Sequence, residues 1–304
     1  VRFLVTGGAG FIGSHLGDAL LAAGHAVRVL DDLSTGKREN LGAGAELLVG
    51  DVADPGAVAE AMAGVDGCFH LAAIASVQRG TEDWCGTHKV NLSGTVAVLD
   101  AARRHGRVPL VYASSAAVYG DPAGAVVDEA SRCAPLTAYG ADKYGCELHA
   151  AVGWHVHRVP TFGLRFFNVY GRRQDPSSPY SGVISIFAAR LAAGLPITLH
   201  GDGEQTRDFV HVSDVVAHVL AAMRVLGEAP GAYVRNVCTG RETSVSALAG
   251  ALGEVLATVP DIGHGPPRAG DIRRSVGSAA RAVATLGVGA KVLLRDGLAD
   301  LIRA

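Results

Sequence analysis

The chain has 304 residues, 49% of them apolar, with Lys+Arg 27 against Asp+Glu 29 and a net charge of -2. That is enough to bury one large α/β core or two domains, and the charge is too balanced to favour nucleic acid or an anionic membrane as partner. Five scattered cysteines (Cys68, Cys85, Cys133, Cys146, Cys238) are odd in number and lack C-x-x-C spacing, which argues against a disulfide framework and against zinc, so no metal is expected.

Arg2–Val5 reads as a buried strand. Phe11–Ala23 reads as a helix, with Ile12, Leu16, Ala19, Leu20 and Ala23 at helical spacing. Between them, Val5-Thr6-Gly7-Gly8-Ala9-Gly10-Phe11-Ile12-Gly13 makes a strand-to-helix turn. Gly7, Gly10 and Gly13 leave room there for the sharp turn, for a pyrophosphate close to the backbone and for helix–strand packing. The helix N-terminus offers N–H groups and a favourable dipole to the phosphates. A second strand, Ala26–Leu30, ends at Asp31, where a dinucleotide's adenosine ribose is held; an acid there repels a 2′-phosphate, so NAD is expected over NADP. No apolar run reaches bilayer length, and a chain entering a strand at once leaves no room for a signal peptide, so a cytoplasmic location is expected.

Strands at Glu46–Val49, Gly67–Leu71 and Pro109–Ala113 alternate with helices at Ala57–Ala63, His88–His105 and Tyr139–Val156, which predicts a parallel sheet covered on both faces. Ligands gather at the carboxyl edge of such a sheet, so Gly7, Asp31, Asp51, Ala72 and Ser115 should converge there. Asp51 either reaches the adenine or caps the helix that follows. Tyr139 and Lys143, four apart on a helix, share a face; an ammonium so placed stabilises phenolate and makes the tyrosine a proton-transfer residue. Ser114-Ser115 ends a buried strand at the ligand edge. On a helix His155 and His157 point apart and make no metal pair. Beyond Val159–Phe167 longer loops appear, Gly171–Ser181 and Gly201–Arg207, with one more strand and helix in Asp208–Met223. The expected fold is α/β, a Rossmann-type doubly wound parallel sheet over 1–167 to which 208–239 return, with a smaller C-terminal substrate-binding lobe from 168–207 and 240–304.

Taken in order, Thr6–Gly13 (T-G-x-x-G-x-x-G), His70-Leu71-Ala72-Ala73 (H-x-A-A), Ser114–Gly120 (S-S-x-x-V-Y-G), Tyr139–Lys143 (Y-x-x-x-K), Leu164–Gly171, Gly201–Phe209 and Arg268-Ala269-Gly270-Asp271 (R-x-G-D) carry a resemblance. The chain resembles the extended short-chain dehydrogenase/reductase family and, within it, nucleotide-sugar epimerases of the UDP-glucose 4-epimerase type. The resemblance implies NAD held by Gly7, Gly10, Phe11, Ile12, Gly13, Asp31, Asp32, Ser34, Asp51, Val52, Leu71, Ala72, Ala73, Tyr139, Lys143 and Phe166. It implies a catalytic set of Ser115, Tyr139 and Lys143, and a UDP-sugar bound by Ser115, Tyr139, Asn168, Arg207, Arg268, Asp271 and Ser275. Asn168, Arg207 and Arg268 would bring an amide and two guanidiniums to a pyrophosphate. Tyr139 would take the C4 hydroxyl proton, a 4-keto sugar would form transiently, and the sugar would turn before its opposite face is reduced.

Ala116-Ala117 stand where related 4,6-dehydratases carry Asp-Glu and uronate decarboxylases a Glu, which favours epimerisation. UDP-glucose and UDP-galactose are the expected pair, with UDP-N-acetylglucosamine or UDP-glucuronate as alternatives. Ser275 stands where glucose-restricted relatives often carry tyrosine and leaves space at C2. A decarboxylase, dehydratase or reductase is a further reading. An NAD-binding regulator is another, against which the intact Ser115, Tyr139 and Lys143 argue. Helices His88–His105 and Tyr139–Val156 are expected to pair two copies into a homodimer, as in relatives.

Overall fold

The computed structural model describes residues 1–176, 182–267 and 272–303. In chain order its elements are β1 (Arg2–Thr6), α1 (Phe11–Ala22), β2 (Ala26–Asp31), β3 (Glu46–Val49), α2 (Pro55–Met62), β4 (Gly67–His70), α3 (Val77–Glu82), α4 (Trp84–His88), α5 (Gly94–Arg104), β5 (Leu110–Ser115), α6 (Ala138–His157), β6 (Thr161–Phe166), β7 (Asn168–Tyr170), α7 (Val183–Ala192), β8 (Ile197–His200), β9 (Thr206–Arg207), β10 (Phe209–His211), α8 (Val212–Glu228), β11 (Ala232–Val237), β12 (Thr243–Ser244), α9 (Val245–Leu256), β13 (Ile262–Gly265), β14 (Arg274–Ser275), α10 (Ala280–Leu286) and α11 (Leu294–Ile302).

Seven strands pair in parallel in the order β11-β6-β5-β4-β1-β2-β3. Parallel neighbours need crossovers, and helices supply them on both faces, so the central strands are buried on two sides. Strand alternation divides their side chains between two cores. Val5, Val29, Phe69 and Val111 pack with Leu16 and Leu20 of α1 and Val215 and Val219 of α8. Leu4, Leu30, Cys68 and Leu110 pack instead with Met62 of α2 and Val98 and Leu99 of α5. The strand order reverses between β1 and β4, and a crevice opens at that switch point.

The remaining strands form small sheets: β7 with β10, β9 between β12 and β14, and β8 with β13. A third core beside them joins Ile184, Phe187 and Leu191 of α7 to Leu199, Leu248, Leu252 and Leu298. The strand expected within Asp208–Met223 is β10, which pairs with β7, whereas β11 completes the large sheet. The helix expected at His88–His105 begins earlier, at Trp84, where Asp83 caps Gly86 N–H at 2.9 Å. It passes through a π-helical turn at Lys89–Ser93. There the buried Asn91 side chain leaves the helix to accept from Ile74 N–H at 2.8 Å and donate to Ile74 C=O at 3.2 Å, pinning the loop after β4. Among the described residues no helix is long and apolar enough to cross a membrane.

Candidate active site

A groove of about 700 Å³ lies along the switch point. The turn after β1 contributes Gly7, Gly10, Phe11, Ile12 and Gly13; the loops after β2 and β3 contribute Asp31, Asp32, Ser34, Asp51 and Val52; and Leu71, Ala72, Ala73 and Phe166 close it from β4 and β6. The glycines are required by contact. A Cβ on Gly7 would lie 2.7 Å from the Ala72 backbone, and one on Gly13 would lie 2.2 Å from the Gly7 carbonyl oxygen. Gly10 caps α1 without a side chain, so the first N–H groups of the helix have no side-chain acceptor and face the groove, a cradle that fits a pyrophosphate.

Buried Asp31 accepts Ala9 N–H and Leu33 N–H, both at 2.9 Å. Burial pushes its carboxyl above the ordinary range, and these two N–H groups pull it back. Asp32 accepts the N–H and hydroxyl of Ser34 at 2.9 and 2.7 Å. Two acids at this end suit unmodified ribose hydroxyls and oppose a 2′-phosphate. Asp51 does not cap α2; Asp54 does, accepting Gly56 N–H at 2.8 Å. Asp51 accepts Ala53 N–H at 2.8 Å and pairs with Lys89 at 3.2 Å while lining the groove.

Thr137 starts α6 by accepting Gly140 N–H at 3.0 Å, which sets Tyr139 in the first turn and Lys143 one turn on. Lys143 is 3% exposed; its Nζ donates to Ala113 C=O at 2.9 Å and lies 5.9 Å from the Tyr139 ring centroid. The cation is thus anchored to the strand beneath the groove, which Ala113 also lines. Ser115 ends β5 and accepts Ala117 N–H at 3.1 Å, leaving its own hydrogen to donate. A Cβ on Gly140 would lie 2.7 Å from Ala117 C=O, so α6 is packed hard against the turn that follows Ser115. His70, from the H-x-A-A motif, bridges Thr6 Oγ1 (Nδ1, 2.7 Å) and Thr95 Oγ1 (Nε2, 3.0 Å) under the groove. Burial, and after it the Lys143 charge, holds its imidazole down to about 3.

A second cavity of about 400 Å³ contains both Asn168 of β7 and Arg207 of β9. Asp208, fully buried, accepts Thr239 N–H at 2.8 Å, Thr239 Oγ1–H at 2.7 Å and Gly240 N–H at 2.9 Å, while its carbonyl takes Asn168 N–H at 3.0 Å. The amide and the guanidinium are therefore held by adjoining, tightly bonded segments. Arg207 also donates to Ile272 C=O at 2.7 Å. Ser275 pairs in register with Arg207 and lines neither cavity. Arg268 and Asp271 lie outside the described residues.

Several lining residues escape a motif reading. Val183, Ile186 and Phe187 of α7 have the periodicity of an ordinary core helix, and Thr198 and His200 of β8 carry no motif at all. Arg173 and Gln174 line the first groove, with Arg173 paired to Asp18 of α1 at 2.8 Å. The Arg-Arg-Gln-Asp run was the available signal.

Residues 3–237 match the model of the NAD dependent epimerase/dehydratase family. Over 99% of its length the chain is 39% identical to UDP-glucose 4-epimerase of Mycolicibacterium smegmatis, covering 97% of that protein. The fold superposes on UDP-glucose 4-epimerase of Thermotoga maritima, solved with UDP-glucose, with a TM-score of 0.95 at 35% identity, covering 100% of this chain and 98% of that one. It superposes also on UDP-N-acetylglucosamine 4-epimerase of Methanobrevibacter ruminantium, in complex with UDP-N-acetylmuramic acid, with a TM-score of 0.93 at 29% identity, covering 99% and 97%.

Proposed function

The chain belongs to the NAD-dependent epimerase/dehydratase family, and from that premise we propose that it is a UDP-hexose 4-epimerase of the UDP-glucose/UDP-galactose type. The observation that carries this reading is the Tyr139–Lys143 face packed against the Ser115 turn, with alanines at 116 and 117 where a dehydratase would need an acid and a base. NAD is the cofactor of the family. The glycine turn, the uncapped start of α1 and the Asp31–Asp32 pair fit it, and when bound it supplies a reversible hydride acceptor for the sugar C4. Residues 1–167 and 208–239 would hold it, and 168–207 with 240–304 the nucleotide sugar.

Tyr139 removes the O4 proton and later returns it, with the Lys143 charge held beside its ring by Ala113. Ser115 donates a hydrogen bond to the same oxygen, which is an alcohol, then a ketone, then an alcohol. Asn168 and Arg207, with Arg268 as the resemblance implies, would grip the diphosphate and leave the hexose free to turn, while Asp271 would serve the nucleoside. A 4-keto sugar that turns about its diphosphate bond can then be reduced on either face. UDP-N-acetylglucosamine is the second reading, supported by the likeness to a UDP-N-acetylglucosamine 4-epimerase. Exposed Leu148, Val152 and Val156, four apart on α6, with Val96 of α5, support a homodimer through these helices. A cytoplasmic place in carbohydrate metabolism goes with this reading.

Separate incubations with UDP-galactose, UDP-N-acetylglucosamine and UDP-glucuronate, followed by NMR of the products, test it; UDP-glucose should form from the first. Tyr139→Phe should retain NAD and lose about 10²–10⁴-fold in turnover. Retention of more than about a tenth of the activity would remove Tyr139 from this role.

A further inference from the structure

Behind the catalytic residues lies a buried ion pair that the proposed chemistry leaves unused. The side chains of Arg165 on β6 and Glu147 on α6 are each 6% exposed. Arg165 Nε donates to Glu147 Oε1 at 2.8 Å and Nη2 to Oε2 at 2.7 Å, a two-pronged fork, and Ser114 Oγ donates to the same Oε1 at 2.5 Å. On its other side Arg165 donates to the Tyr119 hydroxyl at 2.9 Å, with its guanidinium 4.8 Å from that ring's centroid. Tyr119 in turn donates to Asn236 Oδ1 at 2.6 Å.

Each member sits one step from a working residue. Ser114 precedes Ser115, Tyr119 closes the turn after it, Glu147 is one helical turn past Lys143 and two past Tyr139, and Arg165 precedes the groove residue Phe166. Thus a single carboxylate joins β5, α6 and β6, the elements that carry the serine, the tyrosine–lysine pair and the groove wall. A buried ion pair contributes little net stability, because desolvation offsets its attraction. What a bidentate fork does restrict is sliding and rotation of the elements it joins.

We propose that Glu147, Arg165 and Ser114 form a positioning clamp that sets the separation of Ser115 from Tyr139 and Lys143 and thereby sets kcat. The inference rests on the reading of Ser115 and Tyr139 given above. Misplacing reacting groups by about 1 Å costs about 10²-fold in rate.

The double variant Glu147→Met with Arg165→Leu replaces the pair by apolar side chains and strands no charge. Assayed on UDP-galactose, it should keep NAD, change KM by less than about threefold and lose about 10²-fold in kcat. Its pH–kcat profile should drop without moving sideways, since the two deleted charges cancel. A folded double variant with wild-type kcat overturns the clamp. So does a sideways shift that accounts for the whole loss, which would make the pair's role electrostatic. Should the double variant fail to fold, Ser114→Ala decides, because it deletes only one prong: kcat should fall several-fold at constant KM, and an unchanged kcat overturns the clamp. Tyr139→Phe in the same assay separates the two readings. If it stays active, the assignment of the site fails; if it is inactive while the clamp variants match wild type, only the clamp fails.

Discussion

Acidification should destabilise this protein partly through one side chain. His70 is 3% exposed at the end of β4, and the Thr95 hydroxyl that faces its Nε2 also donates to Asn91 C=O at 2.6 Å. Its imidazole is held down from 6.5 to about 3, by burial first and by the Lys143 charge second. Between those values the unfolded chain binds a proton that the folded chain refuses. Stability is therefore full above pH 6.5 and is lost as the pH falls toward 3. At about 1.4 kcal/mol per pH unit, the loss reaches about 2 kcal/mol by pH 5. For a chain of 304 residues that is a fall of about 3 °C in Tm. His211 and His218 are also held low by burial, so the wild-type slope contains their contributions as well. The comparison with His70→Gln isolates the first. Urea unfolding of both proteins at a series of pH values from 7.5 to about 5 should find the variant less stable at pH 7.5 but shallower in its pH dependence by about 1 kcal/mol per unit below 6.5. Parallel slopes would refute the assignment to His70.

Gly13→Ala would place a Cβ 2.2 Å from the Gly7 carbonyl oxygen and 2.8 Å from Gly8 Cα. Neither neighbour can swing away, so the purified variant should lose NAD and about 1–3 kcal/mol of stability; wild-type NAD content would contradict this. Leu148→Glu combined with Val152→Glu should convert a dimer into a monomer by sedimentation and leave a Tm that no longer depends on protein concentration; a wild-type monomer would exclude the helix-paired dimer. Ser275→Tyr should suppress turnover of UDP-N-acetylglucosamine while sparing UDP-glucose. Equal loss on both substrates, or wild type inactive on the N-acetyl sugar, would mean that another wall sets the limit.

The cofactor groove was legible because each of its positions answers a separate physical demand. Gly7 and Gly13 face backbone that leaves no room for a Cβ, and an acid at the end of β2 ties down the glycine turn through Ala9 N–H; such demands act within the fold's first elements and leave a trace in the sequence. The Tyr139–Lys143 spacing was equally visible, but spacing cannot tell that the ammonium is tied to Ala113 C=O rather than to the phenol oxygen. Asp51 and Asp54 both precede α2, and only the backbone path shows that Asp54 is the cap. The wall built by α7 and β8 reads as ordinary core, since apolar periodicity is the same whether a helix faces a ligand or a neighbouring helix. The Glu147–Arg165 fork joins residues that no motif links, and it exists only once β6 has docked beside β5.

The segment that follows β7 makes two distant helices mechanically dependent on each other. Arg173 grips Asp18, the Arg172 carbonyl takes a hydrogen bond from His15 at 3.0 Å, and Arg172 reaches the last helix, pairing with Asp300 Oδ1 at 3.0 Å and donating to its carbonyl, also at 3.0 Å. The first helix is thereby laced to α11 across the rim of the groove, through a segment that belongs to neither. The rim beside the glycine turn is held by residues far apart in sequence, so a change that loosens α11 is felt at α1.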